Sequence, residues 1–462
     1  TKVNIRSVKY MLKGMSVAAT TLGCKVNQAE TDSMLDMLKA AGANIVEFDE
    51  KADIYIVNTC SVTNIADKKS RQMLHRARKM NPDGIVIAAG CYVQSAREIL
   101  EQDEAIDIVI SNNKKKSITE IVNDYINVRN NGKNAPGKDH EAMEYFVDIS
   151  RETEYEEMGG HVPVGHTRAY VKIQDGCNQF CSYCIIPYVR GRIRSRSQEA
   201  ILAEVSELAE AGIKEVVLTG IHISSYGKDK NNEGALIELI EAISKIKGIK
   251  RIRLGSLEPG IITEEFVERI SSNSKVCPHF HLSLQSGCDS VLKRMNRKYT
   301  CKQYFEKCDM LRKAYKSPAL TTDVIVGFPG ETEEEFAETV RYLTELNLYE
   351  MHIFKYSPRK GTVAAAMKEQ VAPEIKNERS DVLLKLAHDN KTAYEAQFEG
   401  CELEVLVEEV VKKDNKTYLR GHTERYMDIL IDVGDISMPE SFVNSFVYVT
   451  YTQNGGNLPL LL

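Results

Sequence analysis

A chain of 462 residues is long enough for two to four domains, and its 43% hydrophobic and 27% charged content is ordinary for a globular protein. No apolar run approaches the roughly 18 residues a helical membrane span requires, which excludes that class. The net charge of −6 argues against a uniformly basic nucleic-acid binder, yet from Tyr394 onward five Lys and Arg face twelve Asp and Glu, leaving +1 for the remainder.

The chain opens with Lys2, Arg6, Lys9 and Lys13, then the mild run from Met15 to a Leu-Gly-Cys at Cys24. That run is too short and threonine-rich for a signal-peptide core. Met15 is a plausible initiator, which would make residues 1–14 an extension. Apolar runs at 17–21, 54–58, 85–89 and 106–110 are typical of buried parallel strands, and 30–41, 67–80 and 94–102 have helical composition. Residues 16–128 therefore read as an α/β domain with crossover helices. Residues 129–166 turn polar, with Asn130 to Asp139 and Gly159-Gly160, and read as a linker. Strand-like runs return at 169–173, 215–218, 251–254, 281–284, 322–326 and 351–354, with helical stretches such as 198–211 and 333–346 between them. Six βα repeats over 167–390 suit a partial (β/α)6 TIM-type barrel, since a complete one needs about 250 residues. From 393 to 457, alternating runs broken by Gly400, Gly421 and Gly434 predict a small antiparallel β-barrel of OB-like size.

Cys177, Cys181 and Cys184 form a CxxxCxxC triplet. Three thiolates on one loop can hold three irons of a [4Fe–4S] cube and leave the fourth free, as sites that do chemistry keep a position open. The bland alternative is structural thiols or half a zinc site, but no CxxC or CxxH partner pair stands elsewhere. Cys24, Cys60 and Cys91 each follow a predicted strand, and the carboxyl ends of parallel strands line the edge where ligands bind. They read as a second three-cysteine set; three ordinary buried thiols is the alternative. Eleven cysteines, an odd number without small-domain density, argue for a reducing cytoplasm. Cys277, Cys288, Cys301, Cys308 and Cys401 read as small hydrophobic residues.

The triplet spacing matches the radical S-adenosylmethionine (SAM) superfamily. Together with Thr21-Leu-Gly-Cys-Lys-Val-Asn27 and Asn58-Thr-Cys-Ser-Val-Thr-Asn64, it makes the chain resemble the methylthiotransferases from about residue 16 to 455, with a C-terminal TRAM domain suggested by Gly421-His-Thr-Glu-Arg-Tyr426. The resemblance implies two [4Fe–4S] clusters. One, on Cys177, Cys181 and Cys184, binds SAM and splits it to a 5′-deoxyadenosyl radical; the other, on Cys24, Cys60 and Cys91, holds the methylated sulfur. It also implies an electron donor and a sulfur source. SAM contacts fall on the backbone of Tyr183, on Thr219-Gly220, on Ser256 and Glu258, and on Gln285; each of these reads nearly as well as a strand-capping turn.

Members of this family modify tRNA beside the anticodon or a ribosomal-protein aspartate. The Gly-Cys-Lys-Val-Asn wording resembles the branch acting on threonylcarbamoyladenosine at position 37. The isopentenyl-adenosine branch has Gln-Met, and the ribosomal-protein branch Pro-Lys, after the first Gly-Cys. RNA contact is expected at Lys68, Lys69, Arg71, Arg76 and Arg78, which share one predicted helix with His75 and Lys79. Arg190, Arg192, Arg194 and Arg196 add a second basic run. The alternative for such runs is a solvated face. Arg425 and Tyr426, with Lys412 and Lys413, are a local contact face on an otherwise acidic domain, which instead could contact a protein or brace the barrel. The rival readings are a ribosomal-protein methylthiotransferase and a non-enzymatic iron–sulfur RNA-binding or electron-transfer protein. A monomer is expected.

Overall fold

The β-branched runs of the first section build a five-stranded all-parallel sheet in the order β2-β1-β3-β4-β5: β1 (Ser16–Thr21), β2 (Asn44–Ile45), β3 (Ile54–Thr59), β4 (Ile85–Gly90) and β5 (Ile108–Ile110). In this computed structural model residues 12–130, 145–159, 167–414, 416–434, 438–453 and 455–457 are described. Successive side chains on a strand point to opposite faces. Ile54, Ile56, Ile85 and Ile87 therefore pack on one side and Tyr55, Val57, Val86 and Ala88 on the other, each under helices. Covering both faces is what makes these runs continuously apolar. The helices are Lys25–Ala40, Asn64–Met80, Cys91–Ser95, Arg97–Glu101 and Ile118–Asn130. Neither the two-residue β2 nor the last helix stood out in the sequence.

Of the expected linker, residues 131–144 and 160–166 lie outside the described residues, as do residues 1–11 of the expected extension. Its described part is packed rather than free: Tyr155 Oη donates to Lys172 O at 3.0 Å, and Glu157 takes Arg196.

The second section forms six parallel strands with an antiparallel edge: β6 (Arg168–Asp175), β7 (Arg194–Ser195), β8 (Glu215–Gly220), β9 (Arg251–Leu254), β10 (His279–His281), β11 (Ala319–Val326) and β12 (Glu350–Lys355). One sheet runs β7-β6-β8-β9 and another β10-β11-β12; single bridges Ile252↔Val276 and Leu257↔Leu282 carry one into the other, giving an open half-barrel. Alternation again sorts the faces. Val216, Leu218, Ile252, Leu254 and Phe280 pack outward against helices such as Gln198–Glu210 and Glu333–Leu346. The residues between them, Glu215, Arg251, Arg253, His279 and His281, make a polar lumen.

The helix Pro373–Ala396 leads into a closed antiparallel-rich barrel, β13 (Glu402–Lys413), β14 (Lys416–Thr423), β15 (Asp428–Asp432), β16 (Phe446–Thr452) and β17 (Gly455–Asn457), ordered β13-β14-β15-β17-β16. It docks on the lumen arginines: Arg251 donates to His422 O and Glu404 O at 3.0 Å each, and Arg253 to Glu424 O at 2.9 Å. No described helix is long and apolar enough to cross a membrane.

Candidate active site between two cysteine triplets

Register brings the first three cysteines together. Thr59 of β3 pairs with Gly90 of β4, so Cys60 and Cys91 leave neighbouring strands, about 4.8 Å apart, side by side. Leu22 N donates to Asn58 O at 2.9 Å, and Gly23 then turns with φ +110° so closely that a Cβ there would lie 2.9 Å from Cys60 Sγ. Only glycine fits. Cys24 follows as the N-cap of Lys25–Ala40. Asn27 locks the corner by donating to Leu22 O at 2.8 Å and Thr59 O at 3.0 Å.

The second triplet sits on the loop after β6. Gly176 has φ +70°, and a Cβ there would strike Arg192 O at 1.8 Å. Gln179 N donates to Cys177 Sγ at 3.4 Å, and Arg297 Nη1 donates to Cys181 Sγ at 3.3 Å. The other triplet has a matching cation: Arg190 Nε donates to Cys91 Sγ at 3.2 Å. Ile185 and Val189, just past Cys184, pack against Cys91. The two triplets thus share one wall.

Burial, with neighbouring sulfurs adding, pushes Cys60 and Cys177 to about 11 and Cys184 to about 12; Cys24 also rises, by burial first and Cys91 among the causes. Bare thiolates would be costly here, whereas a bound metal deprotonates its thiols outright. With two arginines aimed at sulfur and backbone NH groups alongside, the residues fit [4Fe–4S] clusters.

Two cavities meet at Asp323. The larger, about 490 Å³, holds Cys24, Lys25, Thr219, Gly220, Ser256, His279, His281, His352 and Tyr426; the smaller, about 250 Å³, holds Val62, Thr63, Tyr183, Cys184, Gln285 and Phe354. Gly220 and Ser256 therefore face Cys24, while Tyr183 and Gln285 flank Cys184. Glu258 accepts from Gln179 Nε2 at 3.2 Å, beside the triplet loop. Near it His222 is held down to about 4, chiefly by burial, and is neutral at physiological pH. Gln285 has φ +77° and bridges β10 to β11 through Asp323 O and Ile325 N.

The sequence reading missed Lys25, His279, His281, Asp323 and His352. His281 Nε2 lies 3.3 Å from Asp323, and its ring stacks on His352 at 5.7 Å. A signal existed. Arg251-Ile-Arg-Leu254, His279-Phe-His281 and Glu350-Met-His-Ile353 alternate polar and apolar, the mark of a strand with a polar lumen on one face.

The basic runs divide. Lys68, Lys69 and Arg192 are exposed, and the Asn64–Met80 helix begins at the mouth of the smaller cavity. Arg190 and Arg194 are not phosphate contacts: they are 0% and 1% exposed. Arg190 is taken by Glu30, Asp175 and Asn27, and Arg194 lies 3.8 Å from Asp175. Arg196 is buried on Glu157 and Glu204. Arg78 is bound to Asp107, Arg76 meets Asp49 at 2.8 Å, and Arg71 bonds Tyr92. Arg425 braces the C-terminal barrel on Ser317 O and Lys316 O at 3.0 Å each. Tyr426 faces the larger cavity.

The pattern of the Radical SAM superfamily matches residues 171–343, and that of "Uncharacterized protein family UPF0004" matches 16–111. The threonylcarbamoyladenosine tRNA methylthiotransferase MtaB of Bacillus subtilis (strain 168) is 39% identical over 416 residues, 90% of each chain. The enzyme of that name from Aquifex aeolicus (strain VF5) is 37% identical over 90% of this chain and 98% of its own. The chain belongs to the methylthiotransferase family of radical SAM enzymes. A tRNA-2-methylthio-N(6)-dimethylallyladenosine synthase of Thermoanaerobacter pseudethanolicus (strain ATCC 33223 / 39E) is 35% identical over 94% of this chain and 90% of its own. The structure of the radical SAM methyltransferase TsrM from Kitasatospora setae, with cobalamin and a [4Fe–4S] cluster bound, shares the fold at a TM-score of 0.53 with 15% identity, over 74% of this chain and 76% of that one. Radical SAM enzymes work with SAM and a [4Fe–4S] cluster, and methylthiotransferases with a second cluster.

Proposed function

We propose that this methylthiotransferase adds a methylthio group to C2 of threonylcarbamoyladenosine at position 37 of tRNA. The relatives that carry that activity in their names support the base, and the observation that carries the reaction is that Cys24 and Cys184, one from each triplet, line adjoining cavities. Cys177, Cys181 and Cys184 would hold the SAM-binding cluster, with Tyr183, Gly220, Ser256, Glu258 and Gln285 around SAM; Cys24, Cys60 and Cys91 would hold the sulfur-bearing cluster. Reduced and loaded, these groups supply a radical that takes hydrogen from an unactivated C–H bond and the sulfur that replaces it, chemistry no side chain performs.

The protein's own residues do the rest. Arg190 and Arg297 donate to ligand sulfurs, which offsets negative charge on each cluster. Val62 and Phe354, apolar at the mouth of the smaller cavity and 54% and 47% exposed, offer a dry rim beside the SAM-binding triplet. Lys68, Lys69 and Arg192 are the phosphate contacts, with Tyr426 reaching the cavity from the C-terminal barrel. We read 16–128 as the methylthiotransferase domain, 129–166 as its linker, 167–390 as the radical SAM domain and 393–457 as a TRAM domain of OB-like form. The enzyme is a cytoplasmic monomer served by an electron donor and a sulfur source.

Mass spectrometry of tRNA nucleosides from cells lacking the gene tests this reading. Loss of 2-methylthio-threonylcarbamoyladenosine is expected. Its persistence, with loss of a methylthiolated dimethylallyladenosine or of ribosomal-protein methylthioaspartate, would replace it.

A further inference from the structure

The larger cavity runs from Cys24, Gly220 and Ser256 down the half-barrel lumen to a floor made by Lys25, His279 and Tyr426. The floor is built from cations. The Lys25 ammonium lies over the rings of Tyr170 at 5.9 Å and Tyr426 at 5.6 Å, and the guanidiniums of Arg168 and Arg253 lie over the same Tyr426 ring at 5.0 and 4.7 Å. Both arginines are already matched, Arg168 by Glu408 at 3.0 Å and Arg253 by Glu215 at 2.7 Å. Of the carboxylates on the cavity wall, Glu350 is matched by Lys391 at 2.5 Å, and Asp323 lies 3.3 Å from His281 Nε2. No acceptor among the described residues reaches the ammonium of Lys25, an exposed residue that lines the cavity. A second polar atom is orphaned beside it. His279 is 7% exposed, its ring lies 5.3 Å from that of Tyr426, and its Nδ1 has no hydrogen-bond partner.

A lysine ammonium without a protein acceptor, set beside two further cations, is a ready site for an anion. We propose that Lys25 is the specificity-determining residue of this enzyme, receiving the carboxylate of the threonylcarbamoyl group while the base is presented to Cys24. This deepens the threonylcarbamoyladenosine reading and rests on it. Cys24 and Lys25 are consecutive, so a base held at the first brings its N6 substituent within reach of the second. The carboxylate completes the floor's charge, and the orphaned His279 Nδ1 suits the hydroxyl or carbamoyl of the same group. A dimethylallyl substituent carries no charge and would leave Lys25 unmatched, so it forgoes the ion pair that a carboxylate makes there.

The test pairs enzyme and substrate changes. Cluster-loaded wild type, Lys25→Gln and Lys25→Arg, matched for iron content, are each given an anticodon stem-loop carrying threonylcarbamoyladenosine and the same stem-loop with that carboxylate converted to the amide. Both kcat/KM for methylthiolation and equilibrium Kd are measured. Wild type and Lys25→Arg should prefer the carboxylate about 10- to 100-fold, and Lys25→Gln should lose the preference. Equal preference in wild type and Lys25→Gln, or an equal loss by Lys25→Gln on both stem-loops, would overturn the proposal. If wild type methylthiolates neither stem-loop, the base assignment fails, and the Kd comparison still decides whether Lys25 reads the carboxylate.

Discussion

Arg190 Nε donates to Cys91 Sγ at 3.2 Å while the same guanidinium, 0% exposed, grips Glu30 and Asp175, tying a sulfur of one triplet to the loop of the other. Lys115 and Lys172 complete this buried network on Glu30. Removing the guanidinium strips Glu30, Asp175, Asn27 and Cys91 of buried hydrogen bonds, although Lys115, Lys172 and Arg194 still offset the two carboxylates. Arg190→Met should destabilise the protein by about 2–3 kcal/mol in urea unfolding. Arg190→Lys, keeping charge without the fork, should recover only part of it.

Gly23 carries a sharper prediction. Gly23→Ala would need φ +110° and would push a methyl to 2.9 Å from Cys60 Sγ. Iron should fall from about eight to about four per chain while the second cluster stays, as its visible absorbance will report.

Glu335 sets an acid limit. Its hydrogen bonds from Arg294, at 2.6 and 2.8 Å, together with Ser290 and the Thr332 capping box, hold its carboxyl down to about 2. Because the folded value lies below the unfolded one, near 4.3, this stabilisation is complete above about pH 4.3 and disappears as pH falls toward 2. Glu335→Gln should lower stability at pH 7 by about 2 kcal/mol and flatten the pH dependence between those values. Urea midpoints measured across the range check both.

The exposed and buried arginines and lysines should separate by salt. Lys68→Glu and Lys69→Glu should weaken tRNA binding for every sequence tested and each reduce the slope of log K against log salt by about 1. Arg194→Ala should instead lower the unfolding midpoint and leave the slope unchanged. Filter-binding series at several salt concentrations give the slopes.

The strands were legible because parallel strands covered on both faces are unbroken apolar runs: residues 54–58 and 85–89 fall within one residue of β3 and β4. Glu333–Leu346 was legible from its capping box and apolar spacing. The 24-residue helix Pro373–Ala396 escaped because it buries so little, Leu383 being its one large apolar residue in the core. β10 was placed two residues late because it opens on His279, a lumen residue that looks like a loop in sequence. The fate of Arg190, Arg194 and Arg196 was illegible for a different reason. Their alternation resembles a phosphate stripe, and their acids at Glu30, Asp175, Glu157 and Glu204 come from segments that only the fold brings near.

The two triplets divide the labour between them, and one reaction tests that division. Reconstituted, reduced wild type and Cys24→Ala are incubated with SAM and a threonylcarbamoyladenosine stem-loop, and 5′-deoxyadenosine and methylthiolated nucleoside are quantified in the same sample. Wild type should make both, and Cys24→Ala should make 5′-deoxyadenosine without methylthiolated product. Methylthiolated product from Cys24→Ala, or no 5′-deoxyadenosine from either protein, would contradict the account.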